Sequence, residues 1–223
     1  NASDMGGSGL KAVHLWVRKD DGAWTDTGMS NAEAEGDFQY TGMTGDGVYH
    51  FATRSEDNAG NLSAEPTGTG DATTVFDTLP PAAGTLDAPG MVKALTPTIS
   101  VTYSGAGDGG SGLKTVTLWV RKDADAWTET ALVASTPDGT FEYSPAGSGT
   151  YYFDLVAVDN AGLVSATPTG NGQGYVVYDR EAPVLGSVTA PEKADSKPIA
   201  VSYAGVSDAL SGEVWSRALY RRK

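Results

Sequence analysis

Cysteine is absent from the 223 residues, so a disulfide framework, a thiolate zinc site and a cysteine nucleophile are all excluded. Histidine is scarce. His14 and His50 stand alone, which makes neither a metal set nor a catalytic triad, and both read as surface strand residues. Positive charge is sparse as well: 15 Lys and Arg against 28 Asp and Glu leave a net charge of -13. Such a chain repels nucleic acid and anionic membranes, and cations are its natural small partners. No run approaches the ~18 apolar residues of a membrane span, so no membrane insertion is expected of this segment. The opening "NASDMGGSGL" has neither the basic nor the apolar region of a signal peptide. A Gly-x-Ser-x-Gly elbow, a phosphate loop and an HExxH helix are missing, and no catalytic residue is assigned. The expectation is a protein that is not an enzyme.

What the chain does have is repetition. "SGLKAVHLWVRKDDGAWT" from Ser8 returns as "SGLKTVTLWVRKDADAWT" from Ser111, and "EDNAGNLSAEPTG" from Glu56 returns as "VDNAGLVSATPTG" from Val158. The offsets, 8 to 111 and 56 to 158, set a period near 102 residues. A third copy begins where "ISVTYSGAGDGGSG" from Ile99 returns as "IAVSYAGVSDALSG" from Ile199. Three segments are therefore expected: 1–76, a repeat lacking its first strands; 77–178, a complete repeat; and 179–223, the first strands of a third. Either the chain is a window on a longer array, or strands of one subunit complete the next.

Apolar residues alternate within the complete copy. Ile99, Val101 and Tyr103 share one face, as do Val116, Leu118 and Val120, and Tyr151, Phe153, Leu155 and Ala157. Clusters of Gly, Pro, Asn and Asp separate these runs, and nothing shows a sustained helical period. The expected fold class is all-β: tandem Ig-like (fibronectin III-like) β-sandwiches with a period of about 102 residues, incomplete at both chain ends. "GDGVYHF" and "GSGTYYF" match the tyrosine corner that opens strand F of such sandwiches, with Tyr49 and Tyr151 as the corner residues.

The recurring "DNAG" phrases, together with "FDTLPP" and "YDREAP" between copies, give the chain a resemblance to a known family. It resembles the tandem bacterial Ig-like domains of large secreted adhesins and cell-surface filament proteins. That resemblance implies an extracellular or cell-surface location, a structural stalk, and Ca²⁺ at domain junctions.

One pole of an Ig-type sandwich gathers the start of strand A, the B–C loop and the F–G loop. Asp77, Asp108 and Asp159 should meet there, with Asn160 beside them, and Asp57, Asp179 and Asp208 hold the corresponding places in the outer copies. Carboxylates brought together repel one another unless a cation such as Ca²⁺, which takes oxygen ligands, lies between them. The competing reading makes Asp-Asn-Ala-Gly an ordinary turn.

Trp16 with Trp24, and Trp119 with Trp127, flank equivalent hairpins. These pairs are either a surface for sugar rings or a neighbouring chain, or packing for their own sheet. Arg18, Lys19, Arg121 and Lys122 beside them read as a solvated edge.

The expected function is thus a structural segment of an extracellular filament or adhesin stalk. Its partners would be neighbouring copies of the same protein or further repeats of the same chain, with a glycan or a host or surface receptor as candidate ligand. The alternative is a carbohydrate-binding or spacer module of a secreted enzyme.

Overall fold

A computed structural model describes residues 7–93 and 98–210. The regular structure is entirely β, with no helix among the described residues. The chain forms two compact units.

The first unit comprises the chain up to Pro81, together with residues 108–114 and 158–164. Its strands β1 (Leu10–Lys19), β2 (Thr25–Asn31), β3 (Gly47–Asp57) and β4 (Ala72–Phe76) form one antiparallel sheet in the order β2-β1-β3-β4. Val13, Leu15 and Val17 alternate along β1 and are buried, as the period-2 pattern requires.

Asp20, after β1, has a positive φ of 51°. Aspartate is among the few residues other than glycine that tolerate this conformation. Its N–H donates to the Val48 carbonyl at 2.7 Å, and its carboxylate accepts the Val48 N–H at 2.8 Å. Asp123, with φ 49°, repeats both bonds with Thr150 at 2.7 and 2.8 Å. A single side chain in each copy thereby sets where the long central strand starts.

The second unit holds residues 82–107, 115–157 and 165 onward. Strands β5 (Thr85–Asp87), β7 (Ile99–Ser104) and β10 (Gly139–Tyr143) form a sheet in the order β10-β7-β5. A second sheet runs β6-β12-β11-β8-β9, built from β6 (Gly90–Lys93), β8 (Leu113–Lys122), β9 (Thr128–Ala134), β11 (Gly149–Asp159) and β12 (Gly174–Asp179). Their inner faces meet as a β-sandwich. Tyr143 of β10 packs edge-on against Phe153 of β11 with ring centroids 5.4 Å apart, and Ile99, Val101, Leu118, Phe153 and Val176 are fully buried. The alternation in the sequence thus marked the inner faces correctly. One strand escaped it: β6, four residues pairing in parallel with β12, follows Pro89 and is too short to display a period.

Strands β13 (Ser187–Thr189) and β14 (Ser202–Ala204) pair antiparallel. Val188 stands opposite Tyr203 as Leu86 stands opposite Tyr103 in the β5–β7 pair. Residues 211–223 lie outside the described residues.

The two corner tyrosines behave alike. Tyr49 donates its hydroxyl to the Gly45 carbonyl at 2.8 Å, and Tyr151 donates to the Gly147 carbonyl at 2.8 Å. Each hydroxyl also accepts a backbone N–H, from Thr44 at 2.9 Å and from Gly147 at 3.3 Å. Tyr151→Phe keeps the ring but removes both bonds, so urea titration should show a loss on the order of 1 kcal/mol. An unchanged midpoint would show that the hydroxyl contributes nothing to the corner.

Candidate metal centre

Three aspartates meet within the first unit. Asp77 follows β4, Asp108 opens the loop before β8, and Asp159 ends β11. One oxygen of each lies within 4.8 Å of the others, and no other such group occurs among the described residues.

Backbone donors orient each carboxylate. Asp77 accepts the N–H groups of Ser111 at 2.8 Å and Leu79 at 3.2 Å. Asp108 accepts those of Gly112 at 2.8 Å and Gly110 at 3.0 Å through Oδ2. Asp159 Oδ1 accepts the Leu163 N–H at 2.8 Å.

The second oxygen of Asp159 is different. The residue is 0% exposed, and its Oδ2 is buried with no hydrogen-bond partner. A buried carboxylate oxygen without a partner is costly, and two further carboxylates nearby add repulsion. Hydrogen bonds from the Ser111 hydroxyl, then from its N–H, hold the Asp77 carboxyl below the usual carboxylate range. Among the described residues no Lys, Arg or His pairs with any of the three.

The donor set suits a hard cation. Ca²⁺–oxygen bonds of about 2.3–2.6 Å put opposed ligands about 4.6–5.2 Å apart, so three oxygens within 4.8 Å of one another are close enough to share one ion. Gly110 is part of the arrangement for a steric reason. A β-carbon there would lie 2.5 Å from the Asp77 carboxyl carbon, so only glycine lets that carboxylate sit over the loop.

Asn160 lies beside the cluster, but its amide nitrogen is engaged with the carbonyls of Ser111 and Gly112, each at 3.0 Å. It ties two loops together. Asp57, in the first copy, accepts Asn61 N–H and Ala59 N–H through Oδ1 at 2.8 and 2.9 Å, and the Asn61 side-chain amide through Oδ2 at 2.8 Å. Those bonds, the Asn61 side chain foremost, lower its carboxyl below the ordinary range. Asp179 accepts the Glu181 N–H at 2.9 Å and Asp208 the Leu210 N–H at 3.2 Å, both as local turns in the second unit.

The tryptophans and the basic residues sort together. Arg18 lies over the Trp24 ring at 5.6 Å, and Arg121 over Trp127 at 5.6 Å and over Tyr152 at 4.4 Å. Arg54 covers Trp16 at 5.8 Å, and Trp119 is half-buried on β8. Lys19 and Lys122 lie over the corner rings of Tyr49 and Tyr151 at 5.9 and 5.8 Å. The basic residues therefore lie over aromatic faces as well as bordering an edge, which alternation in the sequence does not reveal. Gly172 completes the packing: a β-carbon there would lie 2.5 Å from the Phe153 carbonyl and 2.7 Å from the Trp127 ring. Gly70 does the same for Trp24 and Phe51.

His50 is buried, with Nδ1 3.0 Å from the Thr73 hydroxyl, and His14 lies 3.5 Å from Glu56. A cavity of about 530 Å³ in the first unit is lined by Val13, Asn31, Glu33, Glu35, Phe38 and Thr53 among others. Its two carboxyl residues are near neighbours on one short segment.

No protein-family model matches the chain. The chain is similar to Exoglucanase B of Cellulomonas fimi, with 31% identity over 157 residues. The match covers 64% of this chain and 14% of that protein, so the chain spans about one seventh of the relative's length.

Proposed function

We propose that the chain is a non-catalytic spacer segment of a secreted carbohydrate-acting enzyme, built from Ig-like (fibronectin III-like) repeats. The observation that carries this reading is the partial match to an exoglucanase, in which a segment of this kind takes up a small share of the length. An enzyme that acts on a polymeric glucan works outside the cell, and the partial match to an exoglucanase supports that setting for this segment. The Ig-like assignment rests on the two packed sheets, the parallel β6–β12 pairing and the tyrosine corners.

The spacer role is favoured over sugar binding by the state of the tryptophans. Arginine side chains lie over the rings of Trp16, Trp24 and Trp127, and buried Trp24 and Trp127 Nε1 atoms make no hydrogen bond. A stacking platform needs a free ring face. The isolated chain is therefore expected to stay in the supernatant when mixed with insoluble cellulose. Retention on cellulose that Trp119→Ala abolishes would replace the spacer with a binding module.

We assign the Asp77–Asp108–Asp159 centre to one Ca²⁺. It would clamp three chain segments, the end of β4, the loop before β8 and the end of β11. A surface stalk is the second reading, favoured by the repetition itself. The sequence flanking this segment in the full protein decides between the two: a catalytic domain supports the spacer, whereas only further 102-residue repeats support the stalk.

A further inference from the structure

We infer that two positions of the repeat, 61/163 and 110/210, decide whether a copy takes a cation, so that the middle pole alone does so. The inference rests on the calcium assignment above. Asp57-Asn-Ala-Gly-Asn61 and Asp159-Asn-Ala-Gly-Leu163 differ at their last residue. Both aspartates spend Oδ1 on the backbone N–H of that residue, each at 2.8 Å. What happens to Oδ2 then depends on the side chain. Asn61 donates its amide to Asp57 Oδ2 at 2.8 Å, whereas leucine has no donor and Asp159 Oδ2 stays buried and unpartnered.

In the first copy an internal amide thus does what the cation does in the second. An oxygen already accepting a hydrogen bond must give it up to bind a metal, so Asn61 competes with any ion for Asp57. Leu163 has no donor to offer Asp159 Oδ2, and one carboxylate oxygen of Asp159 lies within 4.8 Å of an oxygen of Asp77 and of Asp108.

The third copy departs at another point. Asp108-Gly-Gly-Ser111 becomes Asp208-Ala-Leu-Ser211, which puts Leu210 where Gly110 stands. At Gly110 even a β-carbon would collide with the Asp77 carboxylate. A leucine at the matching place denies Asp179 the corresponding position over the loop.

Calorimetric titration of the full chain with Ca²⁺ tests this. One ion per chain is expected. Leu163→Asn should weaken its affinity at least tenfold, while Leu163→Ala, which removes the bulk without adding an amide, should leave it within about threefold. Gly110→Leu, the change already present in the third copy, should also weaken it at least tenfold, and it serves as the test should Leu163→Asn fail to fold.

If the unmodified chain binds no Ca²⁺, the calcium assignment and this inference fall together. If it binds one ion, and Leu163→Asn binds it equally well, the assignment stands and the inference is overturned. Two or more ions of similar affinity would overturn it as well.

Discussion

Phe153→Ala is expected to lower the stability of the second unit by about 3–5 kcal/mol, the range for truncating a fully buried phenylalanine. Phe153 lies at the centre of β11 and is 0% exposed, between Tyr151 and Leu155 on the same inner face. Across the sandwich it meets Tyr143 of β10, so its loss opens a cavity that rigid sheets on both sides cannot close. Phe51 occupies the same place in the first copy but is half-buried, with Tyr40 edge-on at 5.5 Å as its aromatic neighbour. Phe51→Ala should therefore cost clearly less. Urea titrations of both variants, followed by tryptophan fluorescence, supply the comparison. Equal losses would contradict the account, because it assigns the difference to the second sheet over Phe153.

Calcium at one hundred times its dissociation constant should raise stability by about 2.7 kcal/mol, since the ion binds the folded aspartate cluster and the unfolded chain lacks it. The measurement compares unfolding midpoints in Ca²⁺ and in chelator. Asp159→Asn should abolish the difference. Its behaviour in chelator is the sharper test. An asparagine oxygen can still accept the Leu163 N–H, while the buried unpaired carboxylate oxygen is gone. The variant should thus be at least as stable as the parent without calcium and less stable with it. If Asp159→Asn destabilises equally in both conditions, Asp159 is a structural turn residue and not a ligand.

These expectations depend on features of unequal visibility. Alternation picked out Ile99, Val101, Val116, Leu118, Phe153 and Leu155 as an inner face, because side chains on a strand change sides at every residue. The loop layout of an Ig-type sandwich puts Asp77, Asp108 and Asp159 at one pole, and one carboxylate oxygen of each lies within 4.8 Å of the others. The contacts of Arg54 with Trp16 and of Arg121 with Tyr152 were not visible, since each joins strands distant in sequence. Nor was the parallel strand β6, whose partner β12 lies more than eighty residues away, at Gly174–Asp179.

The repeat shows where local determination stops. Phe38-Gln39-Tyr40 and Phe141-Glu142-Tyr143 are nearly the same words, yet only the latter is a strand. β10 hydrogen-bonds to β7, and among the described residues of the first unit no strand stands opposite Phe38. Burial divides in the same way: Ile99, Val101 and Tyr103 are 0, 0 and 4% exposed, whereas Ile199, Val201 and Tyr203 are 57, 47 and 52% exposed.

By itself, then, the sequence determined the strand period, the faces and the turns, because each follows from neighbours along the chain, whereas the acidic pole followed only once an Ig-type loop layout was assumed. The tertiary structure decided which faces are covered, which tryptophans are capped, and that Asp159 alone among the copied aspartates keeps a buried oxygen without a partner. Those outcomes depend on what lies across the sheet or loop: Asp57 is half-buried and its Oδ2 accepts the Asn61 amide, whereas Asp159 is fully buried and its Oδ2 has no partner.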